Sequence, residues 1–336
     1  MKKAVVLLNL GGPNKRSEIK GFLYNLFSDK NIITVPSPFR QLIAFLISTS
    51  RRKKATEVYD QIGGFSPILE NTQNQQNALK TILGEGFDIF IAMRYSYPRM
   101  NDIIRNLETD KYSEVILLPL YPQYSTTTSK SSIEEFYKYA SKALASKTKN
   151  ICCYFDDEKF INATAAILEE KLNKYQDNFE NITILFSAHG LPKKIVEQGD
   201  PYRMQVEKCT ELVMQKLNKK IDHIVCYQSR VGPLEWIKPY TEDVIIEKSK
   251  ENKTIVLVPI AFVSEHSETL VELDMEYNHL AMENGAKGYE RVPAQAVNDA
   301  FIKSLAEIVI KAGKNDSKFY PKRKCEQKYC GCINQD

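Results

Sequence analysis

Apolar residues along this chain fall into short continuous runs at positions 4–10, 89–93, 115–120, 182–186, 224–227 and 255–262, each rich in Val, Ile and Leu. The stretches between them carry apolar residues at helical spacing. A continuous run, rather than an alternating one, marks a strand buried on both faces, so the pattern predicts mostly parallel sheets with helices on each side. The strand endings also recur in the same order in the two halves. LLNLGGP, ending at Pro13, resembles LFSAHGLP, ending at Pro192; RYSYP, ending at Pro98, resembles QSRVGP, ending at Pro233; LLPLYPQYS around Pro119 resembles LVPIAFVSEHS around Pro259. The two later pairs are almost equally spaced, and the first is wider by about 40 residues. This predicts an α/β protein of two similar Rossmann-like domains, 1–150 and 151–315, with an insertion at about 22–67 in the first and a tail at 316–336.

In open parallel sheets ligands bind beyond the carboxyl ends of the strands. Those ends carry Tyr121, Tyr124, Ser125, His189, Gln228, Phe262 and His266. The insertion holds Phe39, Leu42, Ile43, Phe45, Leu46 and Ile47, followed at once by Arg51-Arg52-Lys53-Lys54. It reads either as a core helix with a solvated basic end or as an apolar lip over a cleft, able to rest on a membrane surface through its cations. A flat apolar ligand bearing carboxylates would suit both the lip and its charges.

Composition narrows the classes. With 43% hydrophobic and 26% charged residues the chain is ordinary globular material, and 46 basic against 42 acidic residues give a net charge of only +4. That balance argues against nucleic-acid binding, the basic stretch at 318–328 excepted. The first run follows two lysines in the manner of an export signal, but Gly11-Gly12-Pro13 ends it without a cleavage site, and it reads as a buried first strand. No run approaches the ~18 apolar residues of a spanning helix. The expectation is a cytoplasmic protein with reduced thiols, reaching at most the inner face of a membrane peripherally. No G-x-G-x-x-G follows the first strand, so no nucleotide cofactor is expected.

Two constellations carry chemistry. In Ser187-Ala-His-Gly-Leu-Pro192 a buried strand runs directly into His189. A lone histidine is usually structural, but at a strand's carboxyl end, with a Gly-Leu-Pro turn behind it, an imidazole can bind a metal or accept a proton. In the stretch from Val263 to Glu276, Ser264 reads as an N-cap, and Glu268, Glu272 and Glu276 lie at i, i+4 and i+8 on one helix side. His266, Leu270, Leu273, Tyr277 and Leu280 form the opposite, apolar stripe. A solvated acidic face is the plain reading. Against it, like charges four apart repel by a few tenths of a kcal/mol, and no Lys or Arg lies between 265 and 286 to relieve them. Three carboxylates in file suit the passage of a hard divalent metal, or of protons, toward a site.

These segments, taken together at their spacings, resemble the ferrochelatases, which insert ferrous iron into a porphyrin at the end of haem synthesis. The likeness covers nearly the whole chain: LLNLGGP, IGGFSPI from Ile62, RYSYP, LPLYPQYS, FSAHGLP, GDPY, YQSRVGPLEWIKPY and PIAFVSEHSETLVELDMEY. The resemblance implies the chelatase fold and a lyase that converts protoporphyrin IX and Fe²⁺ to haem b. Coproporphyrin III as substrate and a non-catalytic porphyrin or metal carrier are the alternatives. It implies His189 and Glu268 as catalytic and metal-binding residues, Glu272 and Glu276 as an acidic line conducting metal or protons, and Arg94, Tyr121, Trp236 and Phe262 as lining of the macrocycle pocket. Ser125 and His266, at the strand ends, complete the expected porphyrin-binding set. Fe²⁺ is a substrate in this scheme, and oligomeric state is left open.

The seven cysteines divide by position. Cys325, Cys330 and Cys332 form a C-x4-C-x-C group in the tail, a metal signal lacking one ligand. Many family members carry a [2Fe–2S] cluster on such a group plus one upstream cysteine. In the animal-type arrangement that position falls in the PQYS segment and is here Thr126. Some bacterial members use a cysteine at the start of the second domain, where this chain has Cys152 and Cys153 on an expected short strand; neighbours on a strand point to opposite faces, so only one could meet the tail. A cluster-free tail with reduced thiols is the alternative. Cys209 and Cys226 read as ordinary core cysteines.

Overall fold

A computed structural model describes residues 1–176 and 179–334. The chain divides into two compact units. The first comprises Met1–Cys153, Leu305–Cys325 and the chain from Cys332 onward; the second comprises Tyr154–Ser304 and Glu326–Gly331. In chain order the strands among the described residues are β1 Lys2–Asn9, β2 Phe87–Met93, β3 Tyr112–Pro119, β4 Thr148–Ile151, β5 Ile182–His189, β6 Asp222–Gln228, β7 Thr254–Pro259, β8 Gly288–Arg291 and β9 Phe319–Tyr320. Unit 1 holds a sheet of order β2-β1-β3-β4-β9, and unit 2 one of order β6-β5-β7-β8. Every ladder is parallel.

The continuous apolar runs explain this directly. Val6, Leu8 and Leu117 pack under Ile103, Leu107, Ile133 and Phe136 of the flanking helices Met100–Leu107 and Ser131–Tyr139. In unit 2, Leu185, Cys226 and Leu257 meet Ile245 of the helix Thr241–Lys250 together with Leu273 and Tyr277. Each fully buried Leu, Ile or Phe contributes about 1.5–3 kcal/mol. Such sheets need helical cover on both faces, hence the absence of an alternating pattern in their strands.

All six apolar runs become strands. The last is shorter than its run, because the chain turns after Pro259, where the Ile260 N–H bonds to Ser187 O at 3.1 Å. β4, β8 and β9 escape the pattern because they are two to four residues long and carry no apolar run. Cys152 and Cys153 lie just past β4 rather than within a strand, although the Cys152 N–H still donates to Tyr320 O at 2.7 Å.

The insertion forms the helices Ile19–Phe27 and Phe39–Asp60. Within the second, Phe39, Leu42, Phe45 and Leu46 are 50–64% exposed, and the buried positions are Ala44, Ser48 and Tyr59. A core helix would hide the large residues and show the small ones, so the reading as a core helix does not hold for these four positions. Among the described residues no helix is long and apolar enough to cross a membrane.

Candidate active site

His189 is the last residue of β5, in register with Gln228 of β6. Behind it Gly190 allows two chains to approach closely: a Cβ there would stand 2.9 Å from the Gln228 carbonyl oxygen and 3.2 Å from the Trp236 ring. The Gly190 N–H donates to that same carbonyl at 2.9 Å, and Pro192 bridges Trp236. Trp236 is further fixed by its indole N–H on Val231 O at 3.0 Å. Its ring stands edge-on to the His189 imidazole, centroids 6.4 Å apart.

The Glu268 carboxylate lies against this imidazole, Oε2 at 2.9 Å from Nδ1, with the two side chains 26% and 39% exposed. His266 is buried, its Nε2 4.0 Å from the same oxygen and its ring tilted against Phe262 at 4.7 Å. Glu268 opens a nine-residue π-helix, Glu268–Glu276. Ser264 does not cap it, because the N-cap position falls at Ser267, three residues further on; the Ser264 carbonyl instead faces His266 Nδ1 at 3.1 Å. The wider i→i+5 winding, rare and frequent at functional sites, also redraws the two faces that a 3.6-residue period assigns. Tyr277, placed on the apolar stripe by that period, donates its hydroxyl to Glu272 Oε1 at 3.0 Å.

The three glutamates are graded rather than uniformly solvated: Glu268 and Glu272 are half-buried and Glu276 is exposed. Partners for Glu272 and for the flanking acids of this segment come from elsewhere in the sequence. Ser229 donates its N–H to Glu272 Oε1 at 3.0 Å and its hydroxyl to Oε2 at 2.5 Å. Arg291, at the end of β8, bonds Glu265 before the helix at 2.9 Å and Asp274 within it at 3.1 Å. Neither residue is singled out by spacing, since each reaches the helix from another strand end.

Burial opposes charge on all three titrating groups, yet they separate. Against that opposition the Glu268 carboxylate raises the His189 imidazole above its ordinary value, and His189 in turn holds Glu268 down to about 2. Glu272 is raised to about 7, first by burial and then by the Glu268 charge. The result is an ionised carboxylate, an imidazole that takes a proton readily and a second carboxyl that ionises near neutrality. Nitrogen and oxygen donors of this kind suit Fe²⁺.

In unit 1 the expected porphyrin-lining residues have partners of their own. The Arg94 guanidinium meets Asp29 at 2.9 Å and Glu135 at 3.1 Å, while its Nε donates to Ser131 Oγ at 2.7 Å. Tyr121 is half-buried, and burial keeps its hydroxyl protonated. Ser125 is buried and caps the short π-helix Thr126–Lys130 by accepting from the Thr127 N–H.

The ferrochelatase family model matches residues 2–312. The chain belongs to the ferrochelatase family. A ferrochelatase from Pelagibacter ubique is 48% identical across the full length of both chains, and one from Rickettsia bellii is 47% identical over 98% of this chain and 94% of its own. Among solved structures, SirB from Bacillus subtilis with Fe³⁺ overlays with a TM-score of 0.57 at 12% identity, covering 94% of this chain and 97% of its own. CbiX, the terminal enzyme of sirohaem biosynthesis in denitrifying bacteria, gives 0.52 at 9% identity, covering 93% and 99%. Both establish the chelatase fold. As a ferrochelatase the protein is a lyase of haem biosynthesis, with ferrous iron and a porphyrin as substrates.

The ferrochelatase tail brings separate cysteines to separate partners. In unit 1 the Cys152 and Cys332 sulfurs are 3.9 Å apart and both residues are buried. Hydrogen bonds from Cys152 and then Cys325 bring the Cys332 thiol down to about 3, whereas contacts with Cys153 and Cys332 push Cys152 up. In unit 2 the exposed Cys330 sulfur donates to Gln198 O at 3.4 Å. Among the described residues no three His, Cys, Asp or Glu side chains stand in metal-holding geometry. Cys209 and Cys226 are buried in the core.

Proposed function

We propose that this ferrochelatase metallates protoporphyrin IX, with His189 as the proton acceptor and Glu268 as its partner at the metal. A free-base porphyrin holds two N–H protons and keeps its nitrogen lone pairs in the ring plane, so iron entry needs the ring bent and both protons removed. The observation that carries the reading is the 2.9 Å contact of His189 with Glu268. It gives the imidazole both orientation and raised basicity, the properties a general base requires. Trp236, packed on His189, and Phe262, packed on His266, are stiff aromatic surfaces against which the macrocycle's large face can bind, and that binding energy is available to distort the reacting centre. Glu272 and the exposed Glu276 continue the carboxylate line outward as the supply route for Fe²⁺.

Protoporphyrin, with two propionates, is proposed here over coproporphyrin III, with four. Rates with both porphyrins test this; faster turnover of coproporphyrin would reverse the assignment. His189→Ala is expected to lower iron insertion by at least about a hundredfold while porphyrin still binds. Retained insertion would overturn the site.

Two finer readings accompany it. The exposed apolar face of Phe39–Asp60 with its following cations rests on an anionic membrane surface, the porphyrin being sparingly soluble in water. The thiolate character of Cys332 and its closeness to Cys152 fit the donor set of a [2Fe–2S] centre. In that reading Cys152, rather than Cys153, is the upstream ligand beside Cys332.

A further inference from the structure

Ser229 directly follows β6 and has a φ of 62°, in the left-handed region where residues other than glycine are uncommon. Glycine would hold this conformation without strain, so what a serine adds is the hydroxyl. In this conformation the N–H and the hydroxyl act together on one target, the two oxygens of Glu272, at 3.0 and 2.5 Å. Ser229 therefore ties the carboxyl end of β6 to Glu272 of the π-helix, while the hydroxyl of Tyr277, just past that helix, closes on the same carboxylate at 3.0 Å.

We propose that Ser229 is a positioning residue for iron delivery: its left-handed backbone aims two donors at Glu272 and so fixes the carboxylate where it can pass Fe²⁺ to Glu268 and His189. The inference rests on the assignment of those carboxylates to the metal route. It separates two quantities that a purely structural residue would move together, because stability follows the backbone angle and iron handling follows the hydroxyl.

Ser229→Gly keeps the N–H, removes the hydroxyl and relieves the left-handed strain; Ser229→Ala removes the hydroxyl and keeps the strain. Both are expected to raise KM for Fe²⁺ about tenfold, the scale of one hydrogen bond to a charged group, with KM for porphyrin unchanged. Thermal unfolding should rank Ser229→Gly above Ser229→Ala. If both variants keep the wild-type KM for Fe²⁺, or lose only kcat, Ser229 does not position the metal route. His189→Ala measured alongside distinguishes the cases: if it too retains insertion, the assignment of the site has failed, whereas its loss with normal Ser229 variants overturns the positioning role alone.

Discussion

Glu272 is the side chain whose charge the fold leaves most nearly balanced at neutral pH. Burial and the Glu268 charge raise it to about 7 from an ordinary 4.5, so the folded protein holds this proton more tightly than the unfolded chain does. The stabilising difference is complete below about 4.5 and is lost as pH rises to about 7. Against Glu272→Gln, which has no proton to lose, the wild type should therefore lose relative stability across that window in denaturant titrations. Iron capture should move the other way, because the ionised carboxylate is the better ligand for a hard cation. KM for Fe²⁺ is expected to fall as pH rises through about 7 in the wild type and to stay flat in Glu272→Gln; a parallel profile in the two would remove Glu272 from the metal route. Of the residues involved, His189 and Glu268 were legible in the sequence because a strand end and a carboxylate file announce themselves. Ser229 was not, since a left-handed φ leaves no mark on composition or period, and the partner it clamps lies 43 positions away.

At the scale of elements, the carboxylate file and the helix that carries it were readable, but the π winding of that helix was not. A period of 3.6 sends Tyr277 to the face opposite Glu272, and only i→i+5 winding brings the two hydroxyl and carboxyl groups together. The Phe39–Asp60 helix shows the converse: its apolar positions were legible, their exposure was not, because the same residues could have faced a core. No acidic residue lies between Asp29 and Glu57, a span that includes Lys30, Arg40 and the four cations from Arg51 to Lys54. An apolar face followed by cations binds anionic bilayers through both terms, the electrostatic one being screened by salt. Co-sedimentation with vesicles rich in anionic phospholipid should therefore weaken about tenfold or more in the Leu42→Asp/Phe45→Asp double variant, from the lost apolar burial alone. It should also fall with added salt in the wild type. Equal binding by the double variant would remove this helix from any membrane contact.

Across the whole molecule, two parallel sheets with their strand ends carrying the chemistry follow from apolar runs and recurring strand endings, whereas the course of the tail does not. Its outcome depends on β9, two residues with no sequence signature, which pair Asn150 with Phe319 and Ile151 with Tyr320. That short ladder brings Cys332 to Cys152 across 180 residues of chain. Adjacent thiols, one of them strongly favouring the thiolate, are of the kind that hold iron and sulfide, and the 3.9 Å contact makes Cys152 rather than Cys153 the upstream candidate to test. Cys152 meets Cys332, so Cys152→Ser and Cys332→Ser should each abolish the visible absorption bands of a [2Fe–2S] centre in anaerobically purified protein, and with them the bound iron and acid-labile sulfide. Cys153→Ser should retain both signals, as should Cys209→Ser, which changes a thiol inside the core of the second unit. Loss of the bands in Cys153→Ser but not in Cys152→Ser would exchange the two assignments. Wild-type protein with neither bands nor sulfide would mean that the thiolate at Cys332 is held by its neighbours alone, and that β9 by itself docks the tail.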